Sequence, residues 1–340
     1  RLAAYATLLT LAGACRMEPP PARGDGQRPP VQADRGDSGP APAPTPASAV
    51  PVPSLPTRFP AAPVVMALGD VHGDLTATRR ALRLAGAIDA QDRWIGGSLV
   101  VVQTGDQLDR GDEEQAILDL LEQLRGQAEQ AGGALHVLLG NHELMNAAGD
   151  MRYVTEGGFD DFQGIEGLRL DDAALAQVPA HARARVAAFR PGGPYAMVLA
   201  QRNTAVIVGD SVFVHGGVLP EHVPQGLASL ERLNADVRQW LVGNTDAGPI
   251  ADSVLSPEGV VWTRLYAEDD AAACARLGEA LARLEAARMV VGHTVQQQGI
   301  TSGCDGRVWR IDVGMAAYYG GTVQVLRIEG DQVQALHLEG

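Results

Sequence analysis

Apolar runs recur along this chain, and several close on a glycine followed by a polar side chain. Ala62–Asp70 (APVVMALGD), Ser98–Asp106 (SLVVVQTGD) and Ala134–Glu143 (ALHVLLGNHE) read as three strands from their aliphatic and β-branched content. Between them, Leu75–Ala87 has helical spacing, and Glu113–Gly133 is an amphipathic helix stopped by glycines. Strand alternating with helix implies a parallel-type sheet. The second half reads differently. Thr204–Gly217 forms two strands about Gly209-Asp210, and Thr322–Leu338 repeats that hairpin device about Gly330-Asp331. Arg288–Val291 and Arg307–Gly314 each add a strand, so antiparallel pairing is expected to dominate late in the chain. A mixed pair of sheets flanked by helices is the simplest packing. Leu144–Pro194 has helical pieces and little strand signal, which suggests a cap inserted beside the third strand and a candidate specificity element.

Length and composition narrow the picture. At 340 residues and 35.7 kDa the chain can bury a full core, and with 46% hydrophobic but only 4% aromatic residues that core must be aliphatic. All 27 basic residues are Arg, which reads as genome composition before function. A formal net charge of -14 excludes a nucleic-acid-coating protein. It does not exclude phosphorylated substrates, because local cations reverse the sign within one cleft.

The first residues, RLAAYATLLTLAGAC, have a basic start, a short apolar run and small residues before Cys15, the layout of an export signal over 1–14. Their ending resembles a bacterial lipobox, which would place a lipid anchor on Cys15; a plain cleaved signal is the alternative. Residues 15–60 are Pro- and Ala-rich and are expected to be a disordered spacer before a folded domain at 61–340, with the cap at 144–194. That organisation suggests an exported, periplasmic protein, membrane-anchored or free. Cys274 and Cys304 then either pair or remain free thiols.

Five strand ends carry polar clusters: Gly69-Asp-Val-His-Gly-Asp74, Gly105-Asp-Gln-Leu-Asp-Arg-Gly-Asp112, Gly140-Asn-His-Glu143, His215-Gly-Gly217 and Gly292-His-Thr294. Singly, each is an ordinary turn. In series they supply carboxylates, imidazoles and an amide without thiolates, a donor set suited to Mn, Fe or Zn. The glycines let the backbone approach an ion closely. Six potential ligands exceed one tetrahedral ion, so two divalent metals sharing a carboxylate fit better, at the roughly 3.5–4 Å spacing of two-metal hydrolases.

The ordered set GDxHG, GDxxDRG, GNHE, HGG and GH resembles the calcineurin-like metallophosphoesterases, specifically the phosphoprotein phosphatase branch, from about Val64 to Tyr319. GDQLDRGDEE, GNHELMNAAGDMRY and IDVGMAAYYGG are most similar to the Shewanella-like bacterial phosphatases. The resemblance implies a mixed α/β fold, a four-layer αββα sandwich. It also implies that Asp70, His72 and Asp106 hold one metal, with Asp106 bridging to a second completed by Asn141, His215 and His293. A water bridging both ions would lose a proton and attack phosphorus directly, with no phosphoenzyme. His142 would be the general acid for the leaving oxygen, oriented by Asp109; a third nitrogen ligand or a buried structural histidine are its alternatives. Arg110 would clamp phosphate oxygens, with a surface ion pair to Asp109 or Asp112 as its alternative, and Arg264 is a second clamp on position alone. Asp74 reads as a helix cap and Glu143 as an orienting group. His136, His181, His222 and His337 read as core or surface residues. Asp312, Tyr318 and Tyr319 either line a pocket or end a core strand.

The expected activity is that of a metal-dependent phosphomonoesterase acting on proteins or peptides phosphorylated on tyrosine or on serine and threonine, or on small phosphomonoesters, without nucleic-acid partners, as a monomer. A dinucleoside polyphosphate or other nucleotide phosphohydrolase is the alternative. A lipoprotein that binds a phosphorylated ligand without turnover is a third reading, disfavoured by retention of Asp109, His142 and Arg110.

Overall fold

The structure, a computed structural model, describes residues 51–244 and 252–337. The expected signal, Cys15 and most of the spacer lie outside the described residues. Eleven strands occur among those described: β1 Arg58–Phe59, β2 Val65–Leu68, β3 Val100–Gln103, β4 Ala134–Val137, β5 Ala205–Val208, β6 Ser211–Val214, β7 Arg288–Val291, β8 Thr301–Gly303, β9 Val308–Arg310, β10 Gln324–Glu329 and β11 Gln332–His337. The helices are α1 Leu75–Leu84, α2 Glu114–Gln130, α3 Asn141–Ala147, α4 Glu156–Asp160, α5 Arg183–Phe189, α6 Pro194–Leu199, α7 Leu227–Leu241, α8 Asp252–Leu255 and α9 Ala271–Arg283, with short 3-10 turns between some of them.

The strands form a five-stranded sheet in the order β11-β10-β2-β3-β4 and a six-stranded sheet in the order β1-β5-β6-β7-β9-β8. Their side chains explain why β2 and β5 are apolar on every residue. In β2, Val65 and Ala67 face the layer between the sheets, while Met66 and Leu68 pack outward with α1 and α2 side chains such as Leu82 and Leu121. In β5, Val206 and Val208 point to the same middle layer, and Ala205 and Ile207 join an outer core with Leu230 and Val237 of α7 and Leu277 of α9. Strands covered on both faces lose the alternation of a half-exposed sheet. Each large side chain so buried contributes roughly 1.5–3 kcal/mol. The result is the expected sandwich of two mixed sheets flanked by helices.

Two expectations change, while antiparallel pairing does dominate late in the chain, in β5–β6, β8–β9, β10–β11 and β10–β2. Among those strands, β6 pairs parallel with β7, and β7 with β9. The physical reason is the long segment between β6 and β7, which carries α7, α8 and α9 and so supplies the crossover that a parallel pair requires. The sheet begins before residue 61, because Arg58 and Phe59 pair with Ile207 and Val208, so the end of the expected spacer belongs to the fold. And β4 stops at Val137, with Asn141 opening α3 rather than lying in a loop.

The 144–194 segment sends Phe162 and Phe189, both fully buried, into the outer core with their rings at 4.8 Å. Cys274 on α9 is disulfide-bonded to Cys304 after β8, with Cα atoms 5.3 Å apart, which selects the paired alternative. No helix among the described residues is long and apolar enough to cross a membrane.

Candidate metal centre and active site

The turns that follow β2, β3, β6 and β7 and the N-terminus of α3 converge on one cavity of about 260 Å³, lined by His72, Asp106, Asn141, His142 and His293 together with Arg110, Arg264, Tyr153 and Tyr319. Such a placement at strand ends is the usual location for chemistry in α/β sheets. The backbone there is strained. His72, Asp106, Asp109, Arg110 and His293 all adopt positive φ, between 40° and 69°. Non-glycine residues persist in that region only where surrounding structure over-determines them. Two neighbouring glycines leave room for the carboxylates: a Cβ on Gly140 would overlap Asp106, and one on Gly292 would overlap Asp70.

Glu143 ties two of these turns together. Its carboxylate accepts the backbone N–H groups of Asp106 (2.9 Å), Gln107 (2.8 Å) and Leu108 (3.2 Å), and also that of Gly140 (2.6 Å). The loop carrying Asp106 and Asp109 is thereby locked to the start of α3. Asp74 caps α1 through Ala77 N–H at 2.8 Å, and its second oxygen accepts Ala317 N–H at 2.7 Å, anchoring the segment that carries Tyr318 and Tyr319.

The six expected ligands gather. Ligand atoms of Asp106, His215 and His293 lie within 4.8 Å of one another, and so do those of His72, Asp106 and His142, so Asp106 belongs to both groups. His72 Nε2 is 3.8 Å from Asp70 Oδ2 and 3.7 Å from Asp106 Oδ2. His215 Nε2 is 3.2 Å from Asp106 Oδ2 and 2.9 Å from Asn141 Oδ1. In each histidine the other ring nitrogen is occupied by a backbone carbonyl: His72 Nδ1 by Leu108 (2.9 Å), His215 Nδ1 by Thr104 (3.0 Å) and His293 Nε2 by Trp262 (3.0 Å). A carbonyl accepts only from an N–H, so the outward nitrogen carries the hydrogen and the inward one presents a lone pair that could serve a cation; on His72 that lone pair faces Arg110 Nη1 at 2.8 Å.

The electrostatics ask for positive charge. Burial, and repulsion from Asp312 and Asp106, hold Asp70 well above the usual carboxylate range, and burial pushes Asp312 up to about 6. Burial drives His72 down to about 3 and, with His215 alongside, lowers His293 strongly. Neutral imidazoles beside crowded carboxylates form a cation site in which nitrogen and oxygen donors, without thiolate, suit a borderline or hard divalent metal. The residues present therefore fit the metals that the motifs imply.

His142 faces the same cavity but is held differently. Its Nδ1 meets Asp109 Oδ2 at 2.5 Å and its Nε2 lies 3.8 Å from Asp106. Burial opposes its charge, yet Asp106 and the Asp109 hydrogen bond outweigh that and raise its pKa. Arg110 forms no ion pair with Asp109 or Asp112 among the described residues; its Nη1 lies 2.8 Å from His72 Nε2, and its guanidinium sits 5.0 Å from the Tyr153 ring and 5.4 Å from that of Tyr319. Arg264 reaches the cavity while donating to His293 O at 2.8 Å and Thr294 Oγ1 at 2.9 Å.

The sequence reading misses the layer beneath Asp109. Arg185, Glu114 and Asn146 are fully buried and joined to it by hydrogen bonds. Asn146 was accessible to inference, since it lies four residues after His142 on the same helix and so on the same face. Arg185 offered no such signal.

Comparison with known proteins agrees with this geometry. The model of the family described as calcineurin-like phosphoesterase matches residues 63–297. The chain is 42% identical over 307 residues to Shewanella-like protein phosphatase 2 of Arabidopsis thaliana, covering 82% of this chain and 78% of that one. It is 29% identical over 287 residues to Shewanella-like protein phosphatase 1 of Plasmodium berghei, covering 81% and 74%. Among solved structures it resembles a cold-active protein tyrosine phosphatase, with a TM-score of 0.68 and 26% identity over 84% of this chain and 81% of that chain. A protein serine/threonine phosphatase from Saccharomyces cerevisiae shares the fold alone, at a TM-score of 0.53 and 13% identity over 84% and 85% of the two chains.

Proposed function

The chain belongs to the calcineurin-like phosphoesterase family and is a metal-dependent protein phosphatase, and on that premise we propose that it binds two divalent metals and prefers phosphotyrosine. Asp70, His72 and Asp106 would hold one ion and Asp106, Asn141, His215 and His293 the other. The observation that carries this reading is the membership of Asp106 in both groups of converging donors. Ions held there supply Lewis-acid polarisation of the phosphoryl group and activation of water at neutral pH.

The chain's own residues do the rest. Arg110 and Arg264 draw the phosphate oxygens to the cavity, Arg110 by a planar fork suited to two oxygens at once. His142, with Asp109 on Nδ1, directs Nε2 at the departing oxygen and hands it a proton. Preference for phosphotyrosine is supported by the rings of Tyr153 and Tyr319 around Arg110, a wall for an aryl group, and by the tyrosine phosphatase among the structural relatives. Manganese, iron and zinc all suit the donors.

The test is a panel of phosphotyrosine, phosphoserine and phosphothreonine peptides with diadenosine tetraphosphate alongside, assayed on protein whose metal content is measured in the same preparation. Phosphotyrosine turnover that tracks about two metals per chain supports the reading. Faster turnover of the dinucleotide would move the substrate class to nucleotides. Export, with a lipid anchor at Cys15, belongs to the same proposal and is supported by the pattern of residues 1–15 and by the disulfide; labelling with a radioactive fatty acid, lost in Cys15→Ala, tests the anchor.

A further inference from the structure

We propose that Arg185, which lies outside every metallophosphoesterase motif of the chain, is a positioning residue for the phosphatase reaction: it fixes Asp109, directly and through Asn146, so that Asp109 holds His142 in one orientation. The inference rests on the reading of His142 as the leaving-group acid.

Arg185 comes from α5, in the helical insertion, and is completely buried. Its five N–H groups all have acceptors. Nε donates to Asn146 Oδ1 (2.7 Å); Nη1 donates to a Glu114 oxygen and to Gly158 O (2.7 Å); Nη2 donates to Glu114 Oε1 (2.9 Å) and Asp109 Oδ1 (3.2 Å). The guanidinium lies 4.9 Å from the Phe162 ring and 5.3 Å from that of Phe189. A lysine has three donors and no plane, so it cannot reproduce this set.

The hydrogen-bond directions show what the arginine controls. Because Nε donates to Asn146 Oδ1, the Asn146 amide must present its Nδ2 elsewhere, and it gives one hydrogen to Asp109 Oδ1 (2.9 Å) and one to His142 O (2.9 Å). Asp109 Oδ1 is therefore held by two donors, which leaves Oδ2 aimed at His142 Nδ1. Glu114 takes both η nitrogens of Arg185 and accepts the backbone N–H of Asp109 as well. Only one of the five Arg185 N–H groups therefore falls on Asp109, at 3.2 Å, and that one lands on Oδ1, which leaves Oδ2 to the imidazole. A buried arginine held on every N–H is costly to assemble where packing alone is needed, since apolar residues of similar volume often serve stability as well or better.

The test compares kcat on the metal-loaded full chain for aryl phosphates graded from p-nitrophenyl to phenyl, whose leaving oxygens depend increasingly on a proton donor. The variants are His142→Asn, Arg185→Met, Arg185→Lys and Asn146→Ala, with metal content and melting temperature measured for each. His142→Asn is expected to lose roughly a hundredfold more on phenyl than on p-nitrophenyl phosphate. Arg185→Met is expected to steepen the series in the same sense, about tenfold, at unchanged metal content and KM, with Arg185→Lys only partly restoring it. Should Arg185→Met fail to fold, Asn146→Ala, which cuts the amide link but leaves the Arg185–Glu114 pair, must steepen the series. An equal loss on all substrates in the Arg185 and Asn146 variants, with His142→Asn still steep, overturns the inference while sparing the acid. A flat series in His142→Asn overturns the reading of His142 and the inference together.

Discussion

Asp109 and His142 lie 33 residues apart in sequence and meet at 2.5 Å, Oδ2 against Nδ1, with both side chains buried. With Oδ1 taken up by two donors, Oδ2 accepts from Nδ1–H and leaves Nε2 towards the cavity, where the proposed reaction would use its proton. Asp109→Asn breaks that assignment while keeping the shape. Its kcat is expected to fall about a hundredfold with KM within roughly twofold, because the loss lies in proton transfer and not in phosphate binding. Steady-state kinetics on protein with verified metal content check this.

Metals and protons compete for the same atoms. Asp70 is raised well above the carboxylate range and Asp312 to about 6, so below those values protons neutralise the crowded carboxylates that cations would otherwise satisfy. In the metal-free chain these acids stay protonated in the fold after the unfolded chain has released its protons, so their contribution favours the fold at low pH and is lost as pH rises. The gain in melting temperature on adding Mn²⁺ to chelator-treated protein is therefore expected to be larger at pH 7.5 than at pH 5. A gain independent of pH across that range would count against the carboxylate crowding described for the site.

Tyr153 packs on Arg110 at 5.0 Å and on the His142 ring at 5.2 Å, at the cavity wall. Tyr153→Ala is expected to reduce kcat/KM for phosphotyrosine peptides about tenfold and for phosphoserine peptides by much less, since an aromatic pair contributes about 0.5–1.5 kcal/mol. Competition between matched peptides measures the ratio.

His136, on β4 with its ring tilted by 44° against that of Phe59 at 4.2 Å, has no part in the site. Burial, with Arg125 nearby, pushes its pKa down to about 4. Its folded pKa is depressed, so between roughly pH 6.5 and 4 the unfolded chain binds the extra proton, and the contribution present above pH 6.5 is lost as pH falls. His136→Leu removes that penalty. Relative to the natural chain, the variant is expected to gain on the order of 2 kcal/mol between pH 7 and pH 4.5, which denaturant unfolding at the two pH values reads directly.

The parts of the site that were legible in sequence share one property: each expected ligand sits beside a glycine at the end of an apolar strand. Asp70, Asp106, Asn141, His215 and His293 were found in that way, because tight turns and close approach leave a local mark. Arg185 left none. In the stretch HARARVAAF it reads as the polar side of a helix, and only tertiary packing carries it under Asp109 between two phenylalanines. Glu114 similarly reads as an acidic residue in the first turn of α2, where a solvated role is ordinary. In the fold, β1 and β8 were missed because two or three residues cannot show a period. The parallel pairing of β6 with β7 depends on the crossover between them, which hairpin signals do not encode.

The central claim is that Asp106 is shared by two cations. An anomalous difference map from crystals of the Mn-loaded chain tests it most directly. Two peaks roughly 3.5–4 Å apart, one beside Asp70 and His72, the other beside Asn141, His215 and His293, and both in contact with the Asp106 carboxylate, are the expected result. A single peak, or a second one that Asp106 does not touch, would contradict the account.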